Sequence, residues 1–136
     1  MKKESKEKIK FIDFKKLIHS FKFAFKGIGS AYKDEQNLRV HTIMAVLVLI
    51  FSYLLKISLI EFIVCLVLIG LVLMAEFFNT AIENAVDLVT LEKNPYAKIA
   101  KDTAAAGVLV FAIISAIIGL IIFIPKIINV VGGLLW

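Results

Sequence analysis

The longest uncharged stretch of the chain limits its fold more than any other feature. No charged residue occurs from Thr103 to Pro125, and a helix of about 20 apolar residues, at about 1.5 Å each, crosses a hydrocarbon core about 30 Å thick. Hydrophobic residues make up 60% of the 136 residues, above the roughly 45–50% of a soluble domain. The sequence therefore predicts an all-α integral membrane protein, with residues 1–136 forming a single membrane-embedded domain.

Two other segments have the composition of membrane spans. The first is predicted at residues 40–56, where an apolar run is bounded by basic residues. The second is predicted at residues 57–90, because the helical pattern continues beyond its apolar part into the interface. A loop with the turn signal Asn94-Pro95 follows, and the third span is predicted at residues 102–125.

The N-terminal region has a different pattern. Residues 1–10 form a polar, charged tail, and no apolar segment with a cleavage site follows it, so we expect no cleaved signal peptide. In residues 11–30, Phe, Leu and Ile recur at helical spacing and Lys occupies the opposite face. This pattern predicts an amphipathic helix lying on the membrane surface. Gly27 and Gly29 are expected to loosen its end, before a short polar segment at residues 30–39.

The distribution of basic residues predicts the orientation. Eleven of the sixteen Lys and Arg residues lie in residues 1–39, and basic residues favour the cytoplasmic side. We therefore expect residues 1–39 and the 88–102 loop in the cytoplasm, with Lys56 and the C-terminus outside. The net charge of +5 is explained by anionic lipid headgroups, so no nucleic-acid partner is expected.

A polar stripe continues the second span. Glu76, Asn79, Thr80, Glu83 and Asp87 fall on one face of a helix, and ionisable groups at membrane depth indicate function because they are costly there. The alternative is a polar seam that bonds to neighbouring helices. Three acids without a Lys or Arg among them repel one another, and a bound cation would relieve that repulsion.

The ligand types of the stripe favour a hard cation. Carboxylates without Cys or a His cluster suit Mg²⁺, which completes its coordination with water and substrate phosphates. Lysines in the cytoplasmic segments, with Mg²⁺, are what a nucleotide phosphate requires. The chain has no Walker A pattern, GxGxxG fingerprint or protein-kinase catalytic loop, so any nucleotide site must be of another design.

Simpler roles exist for individual polar residues. Lys26 and its neighbouring lysines favour contacts with lipid headgroups, and His41 favours a position at the interface. Glu35 and Arg39 are close enough in sequence to form an exposed pair of little energetic value. Asp102 begins a helix, where it would favour the helix dipole.

The acidic stripe and the start of the third span lie in the stretches EFFNTAIENAVDL and AKIAKDTAAAGVLV. Together these stretches resemble the signature of the small prokaryotic diacylglycerol kinase family. The order of elements is also similar, from about Phe14 to Lys126. The resemblance implies a homotrimeric lipid kinase of the bacterial cell membrane, with ATP as co-substrate and Mg²⁺ as cofactor.

The resemblance also implies roles for particular residues. Glu76 would be the general base that deprotonates the lipid hydroxyl, Asn79 would position catalytic groups, and Asp87 would support the site. Glu35 and Glu83 would hold the Mg²⁺ ion. The residues implied at the nucleotide site are Lys16, Phe23, Lys26, Glu35, Glu83, Glu92, Lys101 and Asp102. Those implied near the lipid substrate are Arg39, His41 and Ala105.

Three positions depart from the family pattern. Lys16 falls where an Arg is common, so charge is kept but bidentate geometry is lost. Phe23 falls where the Gram-negative branch has a Tyr against the adenine, so stacking remains without the hydroxyl. Ala105 falls where that branch has a Ser, which mildly favours a different acceptor lipid.

The amino-acid sequence around the motifs is similar to that of the Gram-positive branch, whose members mostly phosphorylate undecaprenol. It includes NTAIE, VDLVT, a proline-containing loop and IIGLIIFIPK. We therefore expect phosphorylation of undecaprenol to undecaprenyl phosphate, with diacylglycerol as the alternative acceptor. More remote alternatives are a cation channel or a membrane adaptor without enzymatic activity, neither of which requires acids at these offsets.

Overall fold

A computed structural model describes residues 13–134 of the chain as four α-helices. These are α1 (Phe14–Asp34), α2 (Gln36–Leu54), α3 (Leu59–Val89) and α4 (Pro95–Leu134). By length and composition, α2, α3 and nearly all of α4 are each able to cross a membrane. The prediction of an all-α chain with three membrane-length helices is confirmed. The polar tail at residues 1–10 and the first residues of the 11–30 helix lie outside the described residues.

Helix α3 is the centre of the bundle. It packs along α4, and it also contacts α2 and α1. In the described part of the chain, α2 and α4 each pack against α3 and not against each other. Most large apolar side chains of these helices face outward, which suits hydrocarbon surroundings.

Helix α1 ends later than the sequence predicted. Gly27 and Gly29 remain helical, because a glycine costs a helix only about 1 kcal/mol. The expected polar segment at residues 30–39 is therefore mostly helical, and a single extended residue, Glu35, separates α1 from α2. The Arg39 side chain donates hydrogen bonds to the carbonyl oxygens of Tyr32 and Lys33, which satisfies carbonyl groups at the end of α1. The place of α1 on the membrane surface stays a prediction.

The turn between α2 and α3 has defined backbone chemistry. Helix α2 begins at Gln36 rather than at residue 40 and ends before Lys56, whose φ of 48° is in the left-handed region. Helix α3 begins with a capping box: the Ser58 backbone N–H donates to Glu61 Oε2 at 2.6 Å, and the Glu61 backbone N–H donates to Ser58 Oγ at 3.3 Å. Two donors that a helix end normally leaves unpaired are thus satisfied.

Helix α4 is longer than the predicted span at both ends. It begins at Pro95 because the Asn94 side chain accepts hydrogen bonds from the next backbone N–H groups, and proline suits a first helical position. It continues through Pro125, where the prediction ended it at residue 125. Beyond Pro125, Lys126 Nζ lies 3.3 Å from Glu61 Oε2, an ion pair that ties this part of α4 to the start of α3.

Candidate active site

The polar stripe of α3 lies where α2 and α4 begin. Glu76, Asn79 and Thr80 are among the few buried polar residues. They are buried because the face of α3 that carries them packs against its neighbours, while the helical period keeps them on that face. The opposite end of the bundle holds the Lys126–Glu61 pair.

Glu76 is the most enclosed ionisable residue of this end, with 1% of its surface exposed. Its Oε1 lies 3.2 Å from Nε2 of His41, which is on α2. Its Oε2 is buried and has no hydrogen-bond partner among the described residues. One oxygen of the carboxyl group is therefore held, and the other is left to interact with a ligand.

Asn79 bonds to Glu83, the next acid of the stripe. Its Nδ2 donates a hydrogen bond to Glu83 Oε1 at 3.0 Å, and its buried Oδ1 has no partner in the described part of the chain. Thr80 Oγ1 donates to the Glu76 backbone carbonyl at 3.0 Å. The stripe thus presents two unpaired oxygens, Oε2 of Glu76 and Oδ1 of Asn79.

Glu35, one of the two acids expected to hold the metal, lies at the break between α1 and α2. Glu83 lies two turns after Glu76 on α3. Within residues 13–134, no three His, Cys, Asp or Glu side chains are arranged to hold a metal by themselves.

An ion pair closes the end of the stripe that is farthest from Glu76. Lys101 Nζ on α4 lies 2.6 Å from Asp87 Oδ1 on α3, which joins two of the predicted site residues. Asp102 pairs instead with Lys98, one turn away, at 3.5 Å, and both side chains are largely exposed.

Other predicted site residues stand apart from Glu76. Lys16, Phe23 and Lys26 are exposed on α1, where Lys26 Nζ lies 6.0 Å from the centre of the Phe23 ring. Glu92 is exposed in the connection between α3 and α4, and Ala105 is exposed on α4. Among the described residues, no side-chain hydrogen bond or ion pair links these five to the Glu76 group.

Sequence reasoning missed two contacts. Arg39 bonds to the backbone of α1 and not to an acid, and His41 Nε2 lies 3.2 Å from Glu76 Oε1. A signal for the second contact was present: His41 is near the start of one span and Glu76 near the end of the next. Antiparallel neighbours bring such positions to a similar depth.

An apolar cavity reaches this site from within the bundle. Its volume is about 480 Å³, and it lies between α2, α3 and α4. His41 lines it together with apolar residues such as Val72 and Phe123, and with Ser115. A carboxylate with a free oxygen, in contact with a residue that lines a hydrocarbon-like cavity, is suited to accept a proton from an amphiphilic alcohol.

These features describe a membrane-embedded helical enzyme with an acidic site at one end of its bundle. The family model of prokaryotic diacylglycerol kinase matches residues 22–123. The chain therefore belongs to the prokaryotic diacylglycerol kinase family, as its motifs indicated, and it is a lipid kinase.

Three relatives illustrate the similarity. The undecaprenol kinase of Bacillus subtilis (strain 168) is 45% identical over 114 residues, which cover 84% of this chain and 93% of that protein. The diacylglycerol kinase of Synechocystis sp. is 36% identical over 114 residues, 83% of this chain and 65% of that protein. The diacylglycerol kinase of Haemophilus influenzae is 31% identical over 102 residues, 75% of this chain and 86% of that protein.

Proposed function

We propose that this protein transfers the γ-phosphoryl group of ATP to undecaprenol at the cytoplasmic face of the bacterial cell membrane, with Mg²⁺ as cofactor. The observation that carries the proposal is the buried Glu76 carboxyl group, which has one held oxygen and one free oxygen beside an apolar cavity. Membership of the prokaryotic diacylglycerol kinase family supports phosphoryl transfer to a lipid as the type of reaction.

In the proposed step, Glu76 Oε2 accepts the hydroxyl proton of the lipid alcohol. The alcohol oxygen forms a bond to the γ-phosphorus as the bond from that phosphorus to the bridging oxygen of ADP breaks. ADP leaves with the electron pair, and the lipid becomes its monophosphate. Glu76 then releases the proton to water, which returns the site to its starting state.

The donor atoms of the site fit Mg²⁺. Glu35 and Glu83 would supply carboxylate oxygens, and the unpaired Asn79 Oδ1 is a further hard oxygen next to Glu83. Mg²⁺ commonly takes one or two protein carboxylates and fills its other positions with water and phosphate oxygens. When bound, the ion would offset negative charge on the phosphates. Asn79 would meanwhile hold Glu83 in place through its amide group.

Basic residues would contact the nucleotide phosphates. Lys101 is held by Asp87 at the end of the stripe, which limits its motion and keeps its charge near Glu83. Asp102 would contact the nucleotide from the next position of α4. We assign Lys16, Phe23, Lys26 and Glu92 to the same nucleotide, and Arg39, His41 and Ala105 to the side of the lipid.

Similarity supports undecaprenol as the acceptor. The relative named undecaprenol kinase is 45% identical to this chain, and two relatives named diacylglycerol kinase are 36% and 31% identical. Diacylglycerol is therefore the second candidate. Either lipid carries a hydroxyl group at the interface and a hydrocarbon tail in the bilayer.

We also propose that three copies of the chain assemble as a homotrimer. Exposed residues of the polar stripe, such as Asp87, and the outward apolar faces of α2 and α4 suit contact with further copies of the chain. Polar groups at membrane depth are favoured where another helix covers them.

Replacing Glu76 by Gln tests the proposal directly. The purified native protein in detergent, given labelled ATP and Mg²⁺, is expected to phosphorylate undecaprenol faster than diacylglycerol. Glu76→Gln keeps the shape of the side chain but removes the base, so transfer should fall by at least about 100-fold, the lower end of the contribution of a general base. The readout is labelled lipid separated by chromatography.

Glu61→Gln is the matched control on the same helix. Gln also completes a capping box, and residue 61 is at the other end of the bundle, so transfer should stay near the native rate. Preference for diacylglycerol would contradict the proposal that undecaprenol is the acceptor. Full activity of Glu76→Gln would contradict the proposal that Glu76 is the general base. Transfer to neither lipid by folded native protein would overturn the proposed function.

A further inference from the structure

The roles assigned above do not explain the contact between His41 and Glu76. His41 Nε2 lies 3.2 Å from Glu76 Oε1, and the side chain of Glu76 is 2% exposed while that of His41 is 25% exposed. Among the described residues, His41 makes the polar contact of that carboxyl group, since Oε2 has no hydrogen-bond partner.

We propose that His41 is a positioning residue for Glu76: its Nε2–H holds Oε1 so that Oε2 stays free to accept the proton of the lipid hydroxyl. This inference rests on the proposed function and deepens it. Thr80 is bonded to the backbone carbonyl of Glu76 and not to its carboxyl group. The rotation of the carboxyl group is therefore restrained from α2, by His41.

Restraint matters because a proton acceptor must meet its donor in a narrow range of geometry. A displacement of about 1 Å at a reacting group is able to cost about 100-fold in rate. A Glu side chain has three rotatable bonds, and without His41 either oxygen of Glu76 could turn toward any available donor. The bond from α2 selects one orientation.

The position of His41 also suits the path of a lipid alcohol. Its ring lines the apolar cavity between the transmembrane helices and contacts the carboxyl group at the polar end. A hydroxyl group moving from hydrocarbon toward Glu76 would therefore pass the imidazole ring.

Three substitutions at residue 41 separate positioning from packing. His41→Gln places an amide N–H at about the reach of Nε2, His41→Asn places it one methylene short, and His41→Leu fills the space without a donor. We expect kcat to fall about 100-fold in His41→Leu and substantially in His41→Asn, while His41→Gln keeps most of it. The KM for ATP should stay within about twofold in all three, because residue 41 is assigned to the side of the lipid and not to the nucleotide.

Native protein, Glu76→Gln and Ser52→Ala are measured beside these variants. Ser52 is a buried residue at the far end of α2 that donates to its own helix backbone, so its loss reports the effect of disturbing α2 alone. Thermal unfolding in detergent shows which variants are folded. If His41→Leu does not fold, the comparison of Gln with Asn still decides the question.

The results separate this inference from the proposed function. Equal kcat in the Gln and Asn variants, a fully active Leu variant, or a change confined to the KM for ATP would overturn the positioning role while Glu76 remained the base. Full activity of Glu76→Gln would show that Glu76 is not the base, and it would therefore also contradict the role of His41.

Discussion

At the scale of single residues, the site depends on which oxygen atoms remain unpaired. Glu76 and Asn79 are both buried, and each has one polar atom in contact with a neighbouring side chain and one without a partner among the described residues. Burying an unpaired polar atom costs about 1–3 kcal/mol, so a bound ligand that pairs with these atoms would recover that cost. The pattern favours sites for ligands over a seam between helices.

Removing the Asn79 amide should therefore weaken the response to Mg²⁺. Asn79→Ala loses both the bond to Glu83 and the unpaired Oδ1, and we expect the Mg²⁺ concentration for half-maximal phosphoryl transfer to rise about tenfold, equivalent to about 1.4 kcal/mol. The measurement is a Mg²⁺ titration of the kinase assay at fixed ATP.

Thr80→Val is the control for that titration. Thr80 is the adjacent buried polar residue, and its hydroxyl group bonds to the helix backbone, so its loss should leave the Mg²⁺ midpoint unchanged. An unchanged midpoint in Asn79→Ala would show that neither the amide nor the Glu83 orientation contributes to metal binding.

At the scale of elements, α3 serves both as the central membrane helix and as the carrier of the acids. Its capping box fixes its first turn, its apolar middle packs on α4, and its last turns hold Glu76 to Asp87. Because an α-helix is rigid over this length, the start of α3 sets the depth of the site. The turn before it is therefore where backbone strain matters most.

Lys56→Gly should stabilise this turn. Lys56 has a φ of 48°, a conformation that costs a non-glycine residue roughly 1–2 kcal/mol, and glycine adopts it without that cost. Glycine also has a more flexible unfolded chain, so we expect a net gain below about 1 kcal/mol. The measurement is the unfolding midpoint of the purified protein in detergent.

Lys93→Gly provides the comparison. Lys93 is in the connection between α3 and α4 and does not have a positive φ, so the same substitution should leave stability unchanged or lower it. If both variants were destabilised equally, the left-handed conformation at residue 56 would not be a source of strain.

At the scale of the whole molecule, the two ends of the bundle differ in chemistry. One end has the acids of α3, Lys101 and the exposed basic face of α1, while the other has the single Glu61–Lys126 pair and Lys56. This asymmetry agrees with the excess of basic residues in the N-terminal part of the chain. It favours placing the acidic end in the cytoplasm, where ATP is available.

Cysteine labelling of intact cells tests this orientation. A membrane-impermeant maleimide should label Lys56→Cys, at the α2–α3 turn, and should not label Lys93→Cys, at the α3–α4 connection, until the cells are opened. Cys65 is buried, so the native protein measures the background. The reverse labelling pattern would place the site outside and contradict the proposed use of ATP.

The sequence by itself determined the class of the fold and the helix face on which the candidate acids lie. Both are periodic, local properties: an uncharged run from Thr103 to Pro125 is long enough to span a membrane, and Glu76, Asn79 and Glu83 fall on one face of any helix that contains them. The residues at which the helices begin and end were harder to predict from the sequence. The Asn94 side chain caps α4 and extends its start. The helix also continues beyond Pro125, where Lys126 pairs with Glu61.

Only the tertiary structure decided which groups meet. His41 and Glu76 are far apart in the chain, and their contact depends on the register in which α2 packs against α3. The pairing of Asp87 with Lys101 depends in the same way on α3 and α4. Helical period assigns a residue to a face of its own helix, but the register between helices comes from the packing of many side chains together. No short motif encodes that register, which is why the shared face of the polar stripe could be predicted and the residue that contacts Glu76 could not.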